Sequence, residues 1–154
     1  MINKSDNADI VVWDEKYATG IDLIDNQHKE LFFLTNELFR ACLGGESVVQ
    51  GVFKETMGRM VDYVRFHFSA EQDLLQKINY PDYQEHKKQH DTLVMKILEA
   101  VKEYSEGKKL VPNQFVRTLR DWILSHIAHY DKLYASYIAT LLKNGSISDK
   151  DISG

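Results

Sequence analysis

Six histidines lie along this chain, at positions 28, 67, 86, 90, 126 and 129, and two of their spacings could do chemistry. His67 precedes Glu71 by four residues, and His86 precedes His90 by four. On a helix such pairs stand on one face about one turn apart, close enough to share an ion. A single pair of this kind is more often a hydrogen-bonded or solvated structural feature, so the surrounding pattern has to decide. Positions 53, 57, 60, 64, 67, 71 and 74 hold Phe, Met, Met, Val, His, Glu and Leu, the alternating steps of four and three of a helix-bundle seam. His67 and Glu71 therefore interrupt what should be core. His86 and His90 run into Leu93 and Ile97 on a similar stripe, and His28 falls between Ile24 and Leu31.

With His126, which follows Leu119 and Trp122 on the inward face of a fourth helical stretch, five of the six histidines sit at inward positions on four helices. A buried carboxylate without a partner costs several kcal/mol, and a cation is the most direct compensation. Imidazole and carboxylate donors without thiolate argue against a structural zinc of the cysteine type and against an oxygen-only calcium or magnesium site. Five histidines with two carboxylates are too many for one ion. Two first-row metals bridged by carboxylates remain, iron first, with manganese, cobalt and zinc as open alternatives.

The elements that must position these residues are set off by Gly44-Gly45, by Asn79-Tyr80-Pro81 and by Gly107 through Pro112. Gly at a helix end and Pro in a first turn are the usual stop and start signals, and Ser47 with Gln50 resembles a capping box. The spacing predicts helices over roughly 22–43, 47–77, 82–105 and 113–142. Short links between long helices predict an all-α, up-down-up-down antiparallel four-helix bundle. The expected organisation is one domain over 1–154, with an N-terminal arm over 1–21 and a polar tail over 143–154 that frays from Ser146 to Gly154. Hydrophobic residues at 44% and charged residues at 27% are ordinary for a globular chain. A net charge of -4 offers no basic stripe for nucleic acid, and no apolar run approaches a membrane span. The polar start lacks the features of a signal peptide and the single Cys42 cannot pair within the chain, so a cytoplasmic setting is expected, with Cys42 packed in a helix.

The same residues resemble the hemerythrins, in particular the stand-alone bacterial ones. The resemblance rests on Trp13-Asp-Glu-Lys-Tyr17-Ala-Thr-Gly20-Ile-Asp-Leu-Ile-Asp25-Asn-Gln-His28, on His67-Phe-Ser-Ala-Glu71, on Tyr80-Pro81 followed by His86-Lys-Lys-Gln-His90, and on Trp122-Ile-Leu-Ser-His126-Ile127 ending at Asp131. It implies two irons, one bound by His86, His90 and His126, the other by His28 and His67, bridged by Glu71, Asp131 and an oxo or hydroxo group. A count agrees, because two six-coordinate ions offer twelve positions and these groups fill all but one, leaving the vacancy on the ion with two histidines. The resemblance implies that dioxygen binds there, in a pocket walled by Leu31, Phe68, Trp122, Ile123 and Ile127. His129 lies outside the pattern and is expected at the surface.

Ligand roles for both His126 and Asp131 carry a backbone consequence. Five residues apart, they would diverge by about 140° on a regular α-helix, so one wide π turn is expected between them. The apolar register agrees: Leu119, Trp122 and His126 precede the shift, while Asp131, Tyr134, Ile138 and Leu141 follow it. Reversible dioxygen binding for storage or transport, without enzymatic turnover, is the expected function. A sensing or delivery module acting through a partner protein is the alternative, and a di-metal enzyme the second. The expected partner is dioxygen, with no nucleic acid and no membrane insertion. No protein partner is legible, and a monomer or weak homo-oligomer is expected.

Overall fold

The computed structural model describes residues 9–43, 46–107 and 112–153, with the backbone alone described over 46–50. All regular structure among them is helical: α1 (Asp22–Ala41), α2 (Glu46–Lys77), α3 (Tyr83–Ser105), α4 (Pro112–His126), α5 (Lys132–Lys143) and a short α6 (Asp149–Ile152). Helices α4 and α5 are the two halves of one rod, joined by a π turn over Ile127–Asp131. The rods pack as the expected up-down-up-down bundle. Gly44-Gly45 and the Lys108-Lys109 stretch lie outside the described residues, as do the Ser47 and Gln50 side chains on which the capping box depends. No described helix is long and apolar enough to cross a membrane.

Helix ends follow local chemistry. After α2 the amide of Asn79 donates to the Gln76 carbonyl and that of Tyr80 to the Leu75 carbonyl, the paired bonds of a Schellman stop. Asn79 carries the positive φ of 55° that this stop requires and that asparagine tolerates. Gly145 performs the same role after α5, at φ 77°.

Every seam position of α2 from Phe53 to Leu74 is buried, as the periodicity required. Two apolar clusters result. The larger spans Leu31 to Leu38, Phe53 to Phe68, Leu93, Ile97 and Val116 to Ile127, while the smaller joins Ile21, Ile24, Leu74, Leu75, Ile78, Tyr134 and Ile138. The polar seam residues lie between the two.

The N-terminal arm is anchored by a buried side chain. Asn36 accepts hydrogen bonds from the Ile10 and Val11 amides at 3.0 and 3.2 Å and donates to the Val11 carbonyl at 2.9 Å. Trp13 and Tyr17 then pack on Phe32, at ring separations of 5.5 and 5.4 Å. Asp25, in the first turn of α1, accepts from the amide and hydroxyl of Thr19, and Lys132 donates to the Ala18 carbonyl, which ties the arm to the fourth rod.

The C-terminal tail corrects an expectation. Instead of fraying, it turns back, forms α6 with a capping box between Ser148 and Asp151, and buries Ile152 against the smaller cluster with Ile147 beside it. Two isoleucines in a polar stretch are enough to dock it, which a composition reading overlooks. Cys42 caps α1 half-buried, its thiol facing the Leu38 carbonyl at 3.3 Å, and burial pushes its pKa up to about 11.

Candidate metal centre

His28 lies early in α1, His67 and Glu71 late in α2, and His86 and His90 early in α3, so antiparallel packing brings them to one level of the bundle. The fourth rod supplies His126 at the end of α4 and Asp131 at the end of the π turn. That wide turn is the device the five-residue spacing called for. All seven residues are buried, and His28, Glu71 and Asp131 are 0% exposed.

Their donor atoms fall into two groups. Glu71, His86, His90, His126 and Asp131 each aim one atom into a common space, all within 4.8 Å of one another, and so do His28, His67 and Glu71. The carboxylates span both groups. Glu71 Oε1 lies 2.5 Å from His86 Nε2 and 3.1 Å from His90 Nε2, while its Oε2 lies 3.2 Å from His67 Nε2 and 3.7 Å from His28 Nε2. Asp131 Oδ1 lies 3.1 Å from His126 Nε2 and 3.4 Å from His86 Nε2, and its Oδ2 lies 3.1 Å from His28 Nε2. Each carboxylate thus turns one oxygen to each group. An octahedral ion with bonds of about 2.1 Å has ligand atoms about 3 Å apart along its edges, the scale seen here.

Hydrogen bonding explains only part of this convergence. Both oxygens of Asp131, both nitrogens of His28 and Nδ1 of His126 are buried without a hydrogen-bond partner among the described residues, although His28 and Asp131 approach to 3.1 Å. The two side chains are close but misaligned for a hydrogen bond, as ligands aimed at a point between them would be. Leaving a carboxylate so buried and unbonded costs several kcal/mol, so the donor set fits a pair of cations.

Without a cation the charges compensate one another. Burial alone would lower the His28 pKa, but the nearby Asp131 and Glu71 carboxylates outweigh it and raise it to about 9. Burial wins at His90, whose pKa falls to about 4. Burial would raise Glu71, yet His67, His28 and His86 hold it well below the usual carboxylate range. Burial and Glu71 likewise press Asp131 upward, and His126 and His28 more than reverse this.

Residues 19–138 match the family model described as the hemerythrin HHE cation binding domain. The chain belongs to the hemerythrin family. It is 33% identical to a bacteriohemerythrin of Methylococcus capsulatus over 77% of this chain and 88% of that protein. A bacteriohemerythrin of Clostridium acetobutylicum is 31% identical over 80% of this chain and 97% of that protein. A solved wild-type hemerythrin superposes with a TM-score of 0.77 at 30% identity, covering 82% of this chain and 96% of the other.

Several groups that support this hemerythrin cluster escaped the sequence reading. Gln27 Oε1 lies 2.7 Å from His67 Nδ1, and since a carbonyl oxygen can only accept, His67 carries its proton on Nδ1 and keeps Nε2 free to face the cluster. The Gln72 amide lies 3.0 Å from His90 Nδ1. Tyr134, 0% exposed, donates its hydroxyl to Glu71 Oε2 at 3.0 Å. Register placed Tyr134 in the core, but nothing in the sequence paired it with Glu71, and glutamines beside ligands look like surface residues until the neighbouring helix is in place.

The five apolar residues expected around a ligand pocket also meet. Leu31, Phe68, Trp122, Ile123 and Ile127 line a cavity of ≈ 10 Å³ together with Val64 and Leu93, and His67, His126 and Asp131 close its polar side. The free space suffices for about one water-sized molecule. A far larger groove, ≈ 730 Å³ between α2 and α3, touches none of the seven cluster residues. His129 is exposed, its ring against Tyr130 and away from the cluster.

Proposed function

We propose that this hemerythrin binds dioxygen reversibly at a di-iron centre and serves as an oxygen store or carrier. One observation carries the reading: Glu71 and Asp131 each direct one oxygen to each of two histidine groups, which is the arrangement of carboxylates that bridge two ions. In this reading His86, His90 and His126 would hold one iron and His28 and His67 the other, with Glu71 and Asp131 shared between them. The iron pair would supply the reversible redox change that taking up dioxygen requires. The protein fixes the ligands and keeps the space beside them dry. Gln27 holds the His67 ring in its tautomer, and Tyr134 holds the Glu71 carboxylate. The cavity wall includes His67, His126 and Asp131, so the cavity abuts both histidine groups, and the coordination count is what puts the ligand position on the two-histidine iron. Leu31, Phe68, Trp122, Ile123 and Ile127 exclude water and competing anions there.

Optical titration of the anaerobically reduced, iron-loaded protein with dioxygen tests this. A charge-transfer band that appears on adding dioxygen and disappears on removing it is the expected result. One-way oxidation would instead favour a sensing or catalytic role. A structure with azide bound checks the ligand position, and azide on the iron held by His86, His90 and His126 would overturn that assignment.

A further inference from the structure

We propose that Phe68 controls access to the buried cavity, small ligands passing when its ring swings outward into a surface groove between α2 and α3. The proposal rests on the reading that this cavity receives dioxygen. The groove, ≈ 380 Å³, is lined by Arg65, Ser69, Gln72, Asp91, Val94 and Met95, with Phe68 and His90 at its floor. Phe68 is the one side chain that lines both this groove and the cavity of ≈ 10 Å³ beside the ligand cluster. At that point the wall between solvent and cavity is one ring thick.

The contacts of the ring define its closed position. Phe68 is 5% exposed and lies flat on His90, with centroids 3.7 Å apart and planes within 1°. It also neighbours Trp122 and His126, at 6.4 and 6.3 Å. Most other apolar walls of the cavity, Leu31, Val64, Leu93, Ile123 and Ile127, are themselves buried and have packed chain behind them. Trp122 is the exception, being partly exposed, but its ring is stacked on His126 at 4.9 Å and does not line the groove behind Phe68. Behind Phe68 there is open volume flanked by Met95, which is 58% exposed. A ring leaving its stack on His90 has somewhere to go only on that side.

Control of this kind has a kinetic signature. If a ligand passes only while the ring is displaced, entry and exit both scale with the displaced fraction, and the equilibrium affinity does not. Azide binding to the diferric protein gives both rates without a redox step. Phe68→Leu should raise entry and exit by about tenfold. Met95→Trp, which fills the groove without touching the cavity, should slow both while leaving the dissociation constant within about twofold. Fluorinated phenylalanine at position 68 in zinc-loaded protein supplies a readout free of iron chemistry, with an exchanging minor signal expected that Met95→Trp suppresses. Unchanged rates in both variants, a change in affinity in Met95→Trp with only one rate moving, or no fluorine exchange would overturn the proposal. If iron-loaded protein binds neither dioxygen nor azide, the functional reading fails, while the fluorine measurement still decides whether the ring moves.

Discussion

Adding or removing one residue in the π turn should have very unequal consequences, although both changes fall at exposed positions. Ala128 and His129 are exposed within Ile127–Asp131. Deleting Ala128 removes the extra residue that makes the turn wide, so α4 and α5 can join as one regular helix. His126 and the following aspartate then stand four residues apart, about 40° from alignment rather than about 140°, and Tyr134 and Ile138 keep their inward register. The loss is local strain and a displaced Lys132 contact to the Ala18 carbonyl, on the order of 1–2 kcal/mol. At about 2–4 °C per kcal/mol for a domain of this size, Tm should fall by about 2–8 °C. Inserting one alanine after Ala128 instead rotates everything downstream by about 100°. Tyr134 and Ile138, 0% and 1% exposed, leave the core at a cost of about 1.5–3 kcal/mol each. Asp131 leaves its histidine partners for about 3–5 kcal/mol more. The sum of about 6–11 kcal/mol matches the whole stability of a typical domain, so cooperative folding should be lost. Circular dichroism melts and metal stoichiometry separate the cases. A deletion as damaging as the insertion would refute the register argument.

Further outcomes follow from the same structure. Iron-loaded protein should carry two metals per chain and melt well above the metal-free form, because removing the ions strands Asp131 and His28 without partners; one metal per chain, or equal melting temperatures, contradicts this. In the metal-free form stability should peak near pH 6.5. His28, raised to about 9 from 6.5, contributes stability that is complete below 6.5 and lost as pH rises through 9, whereas His90, lowered to about 4, penalises folding as pH falls from 6.5 toward 4. Loading metal near neutral pH should therefore release protons, His28 among the sources, and remove the alkaline loss; a pH-independent melting temperature of the metal-free protein counts against it. Ile127→Ala or Leu31→Ser should speed autoxidation of iron-loaded protein more than it weakens iron retention, and unchanged autoxidation in both would remove the role given to the dry wall.

What the sequence made legible shares one physical origin, the conflict between polarity and periodicity. His67 and Glu71 stood out because the stripe from Phe53 to Leu74 demanded apolar residues there, and the π turn was readable because the spacing from His126 to Asp131 conflicts with a 3.6-residue period. The missed features break no local rule. Gln27 and Gln72 are ordinary helix residues, and their pairing with His67 and His90 depends on side-chain reach between helices. Asn36 is an unremarkable polar residue until the arm lies against it. The tail docks through Ile147 and Ile152, too few apolar positions to form a period. The buried polar cluster and the core were visible along the chain, while the props behind its histidines belong to contacts between distant segments.

The spread of the cluster over four rods also sets an order of events in time. His67 and its glutamine prop are 40 residues apart, and His90 and His126 are 36 apart, so no short fragment can gather the centre. Closing such loops costs chain entropy that the larger apolar cluster, running from Leu31 through Phe53 and Ile97 to Leu119, can offset before any ligand geometry exists. The bundle should condense first and the ions enter a nearly finished cage. A clasp that closes after the rate-limiting step leaves the folding rate alone and acts on unfolding, so the metals would lengthen the lifetime of the folded chain rather than hasten its arrival.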